Sequence, residues 1–150
     1  MRRLLSCLIA ITAAPLIPAN AGDLSPETAA VIYAMAHSVS GYKLPEQAPQ
    51  IHLVHVAKLR AVACPGRDCA VHGLQAKNMI FIDMEMDMGD PFSRAILFHE
   101  MVHYLQWASG GDARDCADWL RREVEAYSLQ AAVLHKVGLR LATPILPSCA

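Results

Sequence analysis

The stretch Ala95–Trp107, AILFHEMVHYLQW, decides how this chain folds. Outside His99, Glu100, His103 and Gln106, every position in it is apolar or aromatic. A helix that is apolar on almost every face belongs inside a core. On a helix, positions i and i+4 share one face, with Cβ atoms ~5–6 Å apart. His99 and His103 can therefore aim imidazole nitrogens at a single ion, each ~2.0–2.1 Å away if the ion is zinc. Glu100 is rotated off that line and can reach a water beside the ion without displacing a histidine. Two imidazoles and a carboxylate buried without partners are strongly unfavourable, so the stretch asks for a common partner. The plainer reading is a pair of satisfied core histidines and a salt-bridged glutamate. A third ligand elsewhere in the chain weighs against it.

Catalytic zinc usually takes three protein ligands and keeps a fourth position for water. Residues 116–138, CADWLRREVEAYSLQAAVLHKVG, offer Glu123 and Glu125. At ~100° per residue, Leu120, Val124, Tyr127, Ala131 and Leu134 form one core-facing stripe. Glu123 borders that stripe. Glu125 points nearly opposite, one turn from Arg121, where a solvated ion pair contributes little. On this reading the metal ligands are His99, His103 and Glu123, and Glu100 is the general base.

Working outward, three helices are predicted. Ser25 as N-cap and Pro26 at the first position open one that stops at Gly41. Asp90-Pro91 repeats the start signal for the helix carrying the opening stretch, which ends at Gly110-Gly111. Asp112 and Asp115 resemble a capping arrangement for the third, which continues to about Val137 with Gly138 as C-cap. Between the first two, QIHLVHVAK (50–58) and NMIFID (78–83) read as strands, with Pro45, Pro49, Pro65 and Gly66 in loops. The order helix, strands, helix, helix implies a small α+β domain with the sheet packed on the second helix.

The first 21 residues, MRRLLSCLIAITAAPLIPANA, combine Arg2 and Arg3, an apolar run and a small-residue end. That is the pattern of a secretory signal peptide. The run is short of the ~20 residues needed to span a membrane, so no stable anchor is expected after cleavage. Residues 22–150 are then a single domain, and losing Arg2 and Arg3 takes the formal charge from −1 to −3. No basic stripe of the kind a nucleic-acid binder needs is present. The domain retains Cys64, Cys69, Cys116 and Cys149. In an exported chain these read as two disulfides, with three connectivities open; Cys64 and Cys69 could close a tight turn and leave Cys116 for Cys149. A thiolate zinc site is disfavoured by the spacing.

The run H-E-M-V-H, with Glu123 twenty positions after His103 and E-x-x-A from Glu123 to Ala126, resembles the thermolysin-like gluzincin zinc metallopeptidases. The resemblance covers roughly residues 78–130. It implies a small zincin-like α+β domain, about three helices on a short, mostly antiparallel sheet. It also implies Zn2+ at His99, His103 and Glu123, and Glu100 as the base in metal-assisted hydrolysis of a peptide bond. NMIFID would be the sheet edge above the cleft, where an extended peptide substrate pairs by β-augmentation. The chain departs from the pattern in two respects. The position four after the third ligand, where the family often has an acid that orients a histidine, is Tyr127. After Gly138 only LRLATPILPSCA follows, in place of the large C-terminal domain that completes the cleft in big members. Tyr127 and His135 are the two candidates for stabilising an oxyanion.

Other residues have blander readings. MEMDMGD (84–90) is a loop with an acidic face rather than a thioether copper site. His52 and His55 carry no function, and His37, His72 and His135 are surface or cap residues. Trp107 and Trp119 pack where the second and third helices meet. The expectation is a periplasmic or secreted zinc metallopeptidase acting on peptide or protein substrates. Its competitors are a zinc-stabilised binding or inhibitor module on the same scaffold and a disulfide-held interaction protein without metal.

Overall fold

The computed structural model describes residues 24–146 and Cys149; the expected leader, 1–21, lies outside the described residues. Four helices and three strands follow one another as α1 (Pro26–Ser40), β1 (Gln50–Val54), α2 (Val56–Ala63), β2 (Gly73–Ala76), β3 (Met79–Asp83), α3 (Pro91–Gly110) and α4 (Cys116–Lys136). The architecture is α+β.

Local chemistry sets the helix ends. Ser25 Oγ accepts from the Thr28 N–H at 3.1 Å, and Gly41 takes a left-handed turn (φ +73°) to close α1. Asp90 caps α3 by accepting from the Ser93 N–H at 2.9 Å, with Pro91 as the first helical residue. Asp115 caps α4 by accepting from the Asp118 N–H at 2.7 Å; Asp112 stays outside the helix. Beyond the C-cap Val137, Gly138 adopts φ +78°.

The middle of the chain differs from expectation. The strand over 50–58 stops at Val54, and VAKLRAVA forms α2 instead. Its alanines, leucine, lysine and arginine are strong helix formers, and Leu59 is its buried anchor. β2, with sequence GLQA, lacks the β-branched and aromatic residues that announce a strand. The sheet is mixed rather than mostly antiparallel, in the order β1-β3-β2. β1 runs parallel to β3, from Gln50↔Met79 to Val54↔Asp83. β2 runs antiparallel to it, from Gly73↔Ile82 to Ala76↔Met79, across a turn with Lys77 at φ +55°. NMIFID is therefore the central strand, with Ile80 and Ile82 fully buried, and β1 and β2 are the edges.

α3 is the axis of the domain. It touches α1, α4 and the sheet, which accounts for buried residues around its whole circumference, among them Leu97, Phe98, Met101, Val102 and Leu105. The stripe of α4 is rotated from the expected one. Val124 is 50% exposed, whereas Asp118, Ala126, Gln130 and Leu134 are buried. Two of those four are polar residues with internal partners, so a search for apolar positions passes over them. The cysteines pair as Cys64–Cys69, closing the α2–β2 loop, and Cys116–Cys149, tying the tail to the start of α4. Among the described residues no helix is long and apolar enough to cross a membrane.

Candidate metal centre

Consecutive turns of α3 present His99 and His103, and the facing turn of α4 presents Glu123. The two Nε2 atoms lie 2.9 Å apart. Glu123 Oε2 is 3.5 Å from His99 Nε2, and Glu123 Oε1 is 3.2 Å from His103 Nε2. An ion ~2.0–2.1 Å from each of three ligands at tetrahedral angles holds them ~3.3 Å apart, so the three donors fit one small cation with almost no movement. This group, the metal-holding cluster found among the described residues, could bind a metal ion. The side chains are 8%, 13% and 15% exposed: enclosed, yet open on one side to a cleft of about 490 Å³.

The electrostatics favour a cation. Burial pushes the Glu123 carboxyl up, but the His103 and His99 imidazoles outweigh it and hold its pKa down to about 2. Burial likewise works against the protonated His103 ring, and Glu123 with Glu100 overrides it and raises that pKa. An ionised carboxylate and a second acid thus surround the two imidazoles, which is a place for positive charge.

Glu100 sits outside the ligand set and lines the same cleft. Burial, the dominant influence, raises its pKa against the pull of His99 and His103, which moves a carboxylate toward the range of a general base. Its position depends on Gly73 in β2. A Cβ there would lie 2.8 Å from both Glu100 Cγ and Oε1. We expect Gly73→Ala to displace the buried Glu100 side chain from its Cγ outward. Any hydrolytic kcat should then fall about 10²-fold, the lower end of a general base's contribution, with a lowered melting temperature and bound metal nearly unchanged. Circular dichroism melting and metal analysis beside the rate check this.

The two histidines are oriented by groups that sequence reasoning missed. His99 Nδ1 lies 3.1 Å from Gln130 Oε1, and His103 Nδ1 lies 2.8 Å from Gln106 Oε1. Both glutamines are buried. Gln106 carried a signal: it is the single polar residue of the opening stretch outside the motif, three positions after His103. Gln130 is two turns beyond Glu123 on the same face. Gly73 carried no signal.

Glu125 is not the solvated ion pair expected of it. Its Oε2 accepts from Tyr42 Oη at 2.7 Å and Gln106 Nε2 at 3.0 Å, and Arg121 is bonded to Asp118 instead. Tyr127 makes no hydrogen bond to a ligand; its ring leans on the His99 ring with centroids 4.4 Å apart. Burial, then Glu123 and Glu100, raises its pKa and keeps its hydroxyl a donor at the cleft wall. His135 is exposed in the last turn of α4, twelve residues and so ~18 Å along the axis from Glu123, and has no place at the site. His72 is more than a surface residue, since its Nδ1 lies 2.9 Å from the buried Asp83 carboxylate. His37 does serve α1's end, with Nδ1 2.8 Å from the Tyr42 carbonyl oxygen.

Trp107 packs on the core, but Trp119 is 37% exposed, and both line the cleft. The methionine run is a loop in which Met84 is exposed, Met86 packs on the core and Met88 is buried, so its thioethers do not converge. No family model, no curated protein and no solved structure matches this chain; the functional reading therefore rests on the geometry of the site.

Proposed function

We propose that the protein is an exported zinc metallopeptidase of the gluzincin type on a minimal zincin-like scaffold. The observation that carries the reading is the convergence of His99 Nε2, His103 Nε2 and the Glu123 carboxylate within 2.9–3.5 Å of one another, with Glu100 beside them but outside the set. A zinc ion held there supplies the Lewis acidity that acidifies a water and polarises a substrate carbonyl. His99, His103 and Glu123 hold the ion. Glu100, buried and free of ion pairs with Lys or Arg among the described residues, takes the water's proton and passes it to the leaving amine. Tyr127 offers a hydroxyl donor at the cleft wall.

The free edge of β2 borders the cleft through Gly73, Leu74 and Gln75. An extended peptide adds to that edge in this reading, which supplies backbone hydrogen bonds and brings a scissile carbonyl toward the ligands. The two disulfides support an oxidising, periplasmic or secreted location. The competing reading, a zinc-stabilised binding module, gives no use for a carboxylate buried beside the ligands, since desolvating it is unfavourable.

The purified mature chain is expected to cleave a diverse peptide library, to lose that cleavage to a chelator, and to regain it with added zinc. Stoichiometric zinc with no cleavage would favour the binding module; absence of bound metal would remove both.

A further inference from the structure

From the hydrogen bonds around Gln106, we infer that Glu125 and Tyr42 are positioning residues for His103, acting through the Gln106 amide. The inference rests on the reading of His103 as a metal ligand. The Gln106 amide is buried, and its NH2 group has two partners, the Arg122 carbonyl oxygen at 3.1 Å and Glu125 Oε2 at 3.0 Å. Both are acceptors only. Flipping the amide would set its oxygen against those two oxygens and lose both hydrogen bonds. Gln106 Oε1 is thereby committed to His103 Nδ1, 2.8 Å away.

An amide oxygen can only accept, so the Nδ1–H donates to it and the ring is held with Nε2 toward Glu123 and His99. The ring orientation that a ligand needs is thus set by the fold, and losing the hydrogen bond that holds it acts on metal affinity.

Glu125 is itself held in place. The single oxygen that receives the Gln106 donor also receives the Tyr42 hydroxyl, at 2.7 Å, from the loop after α1. Tyr42 stays protonated, its pKa pushed up to about 12 by burial and by Glu125. Tyr42, Glu125, Gln106 and His103 form one line of hydrogen bonds from the end of α1 through α4 to α3. This line does for His103 what Gln130 does for His99, on whose ring Tyr127 leans.

Two measurements test the inference: long-range 1H–15N correlation spectra of the imidazoles in chelator-treated protein, and zinc affinity by chelator competition. The chelator-treated wild type should carry the His103 proton on Nδ1. Gln106→Leu should weaken zinc binding about 10–100-fold, the usual effect of losing a ligand's hydrogen-bond partner, and Glu125→Leu about tenfold with faster solvent exchange of the His103 Nδ1 proton. Glu125→Gln keeps an oxygen that can accept from both Tyr42 and Gln106, and should stay within about threefold of wild type. A wild-type His103 without a proton on Nδ1, or Gln106→Leu and Glu125→Leu both binding zinc within about twofold of wild type, overturns the inference. The two failures are distinguishable. A wild type with the Nδ1 proton but no affinity for zinc overturns the metal reading and leaves the hydrogen-bond line standing.

Discussion

Glu100→Gln should abolish peptide hydrolysis while the chain still holds one zinc ion. Glutamine is nearly isosteric and fits the space that Gly73 leaves, but it cannot take a proton from water at any accessible pH. A positioned general base contributes typically 10²–10⁴-fold. Here the upper part of that range is expected, because Glu100 is buried in the cleft wall beside the cluster, whereas Asp112, the other carboxylate lining the cleft from outside it, is exposed. Folding should not suffer. The wild-type carboxylate is buried, which is what raises its pKa, and a neutral amide removes that desolvation penalty. Single-turnover rates together with metal content per chain measure both halves. Zinc lost along with activity would make Glu100 a ligand or a structural group and end its assignment as a base.

Glu123→Ala is the complementary case and should strip the metal. It removes one of three proposed ligands and, among the described residues, the only carboxylate paired with both Nε2 atoms. The remaining two imidazoles, with nitrogens 2.9 Å apart, then bind a divalent ion far more weakly. The loss should exceed the ~10–100-fold associated with an outer hydrogen-bond partner. Bound zinc should fall from about one per chain to near zero after dialysis, with activity falling alongside. Elemental analysis of wild type and variant, purified in parallel, reads this directly. Unchanged zinc in Glu123→Ala would remove this residue from the ligand set, and Glu125, engaged by Tyr42 and Gln106, would not replace it.

The two variants separate roles that a single activity loss would merge. Loss of rate with metal retained belongs to Glu100; loss of metal belongs to the cluster. Gly73→Ala falls between them, since it removes no functional side chain and acts only by moving one.

Much of this site was legible before any coordinates, because its determinants are local. His99 and His103 share a face through the helical repeat alone. The caps at Ser25, Asp90 and Gly111 act within four residues of where they sit. Helical phase brought Glu123 to the inner side of α4, though it lies within the inner stripe, not at its border, because buried Gln130 and Asp118 shift that stripe. The even cysteine count allowed the pairing that is observed.

Tertiary structure alone decided the rest. GLQA became an edge strand and NMIFID the centre, since strand order is set by which apolar faces can be covered together and not by the strands' own composition. Gly73 was chosen by Glu100, which packs on it from another element. Gln130 meets His99 across 31 positions of sequence, and Tyr42 meets Glu125 across 83. A polar residue's partner at that separation leaves no periodicity to read. The sequence by itself determined which groups face one another along a helix, because hydrogen bonds between near neighbours dictate that geometry. Which distant groups hold those groups in the productive orientation was decided only when the helices and the sheet closed on a common core.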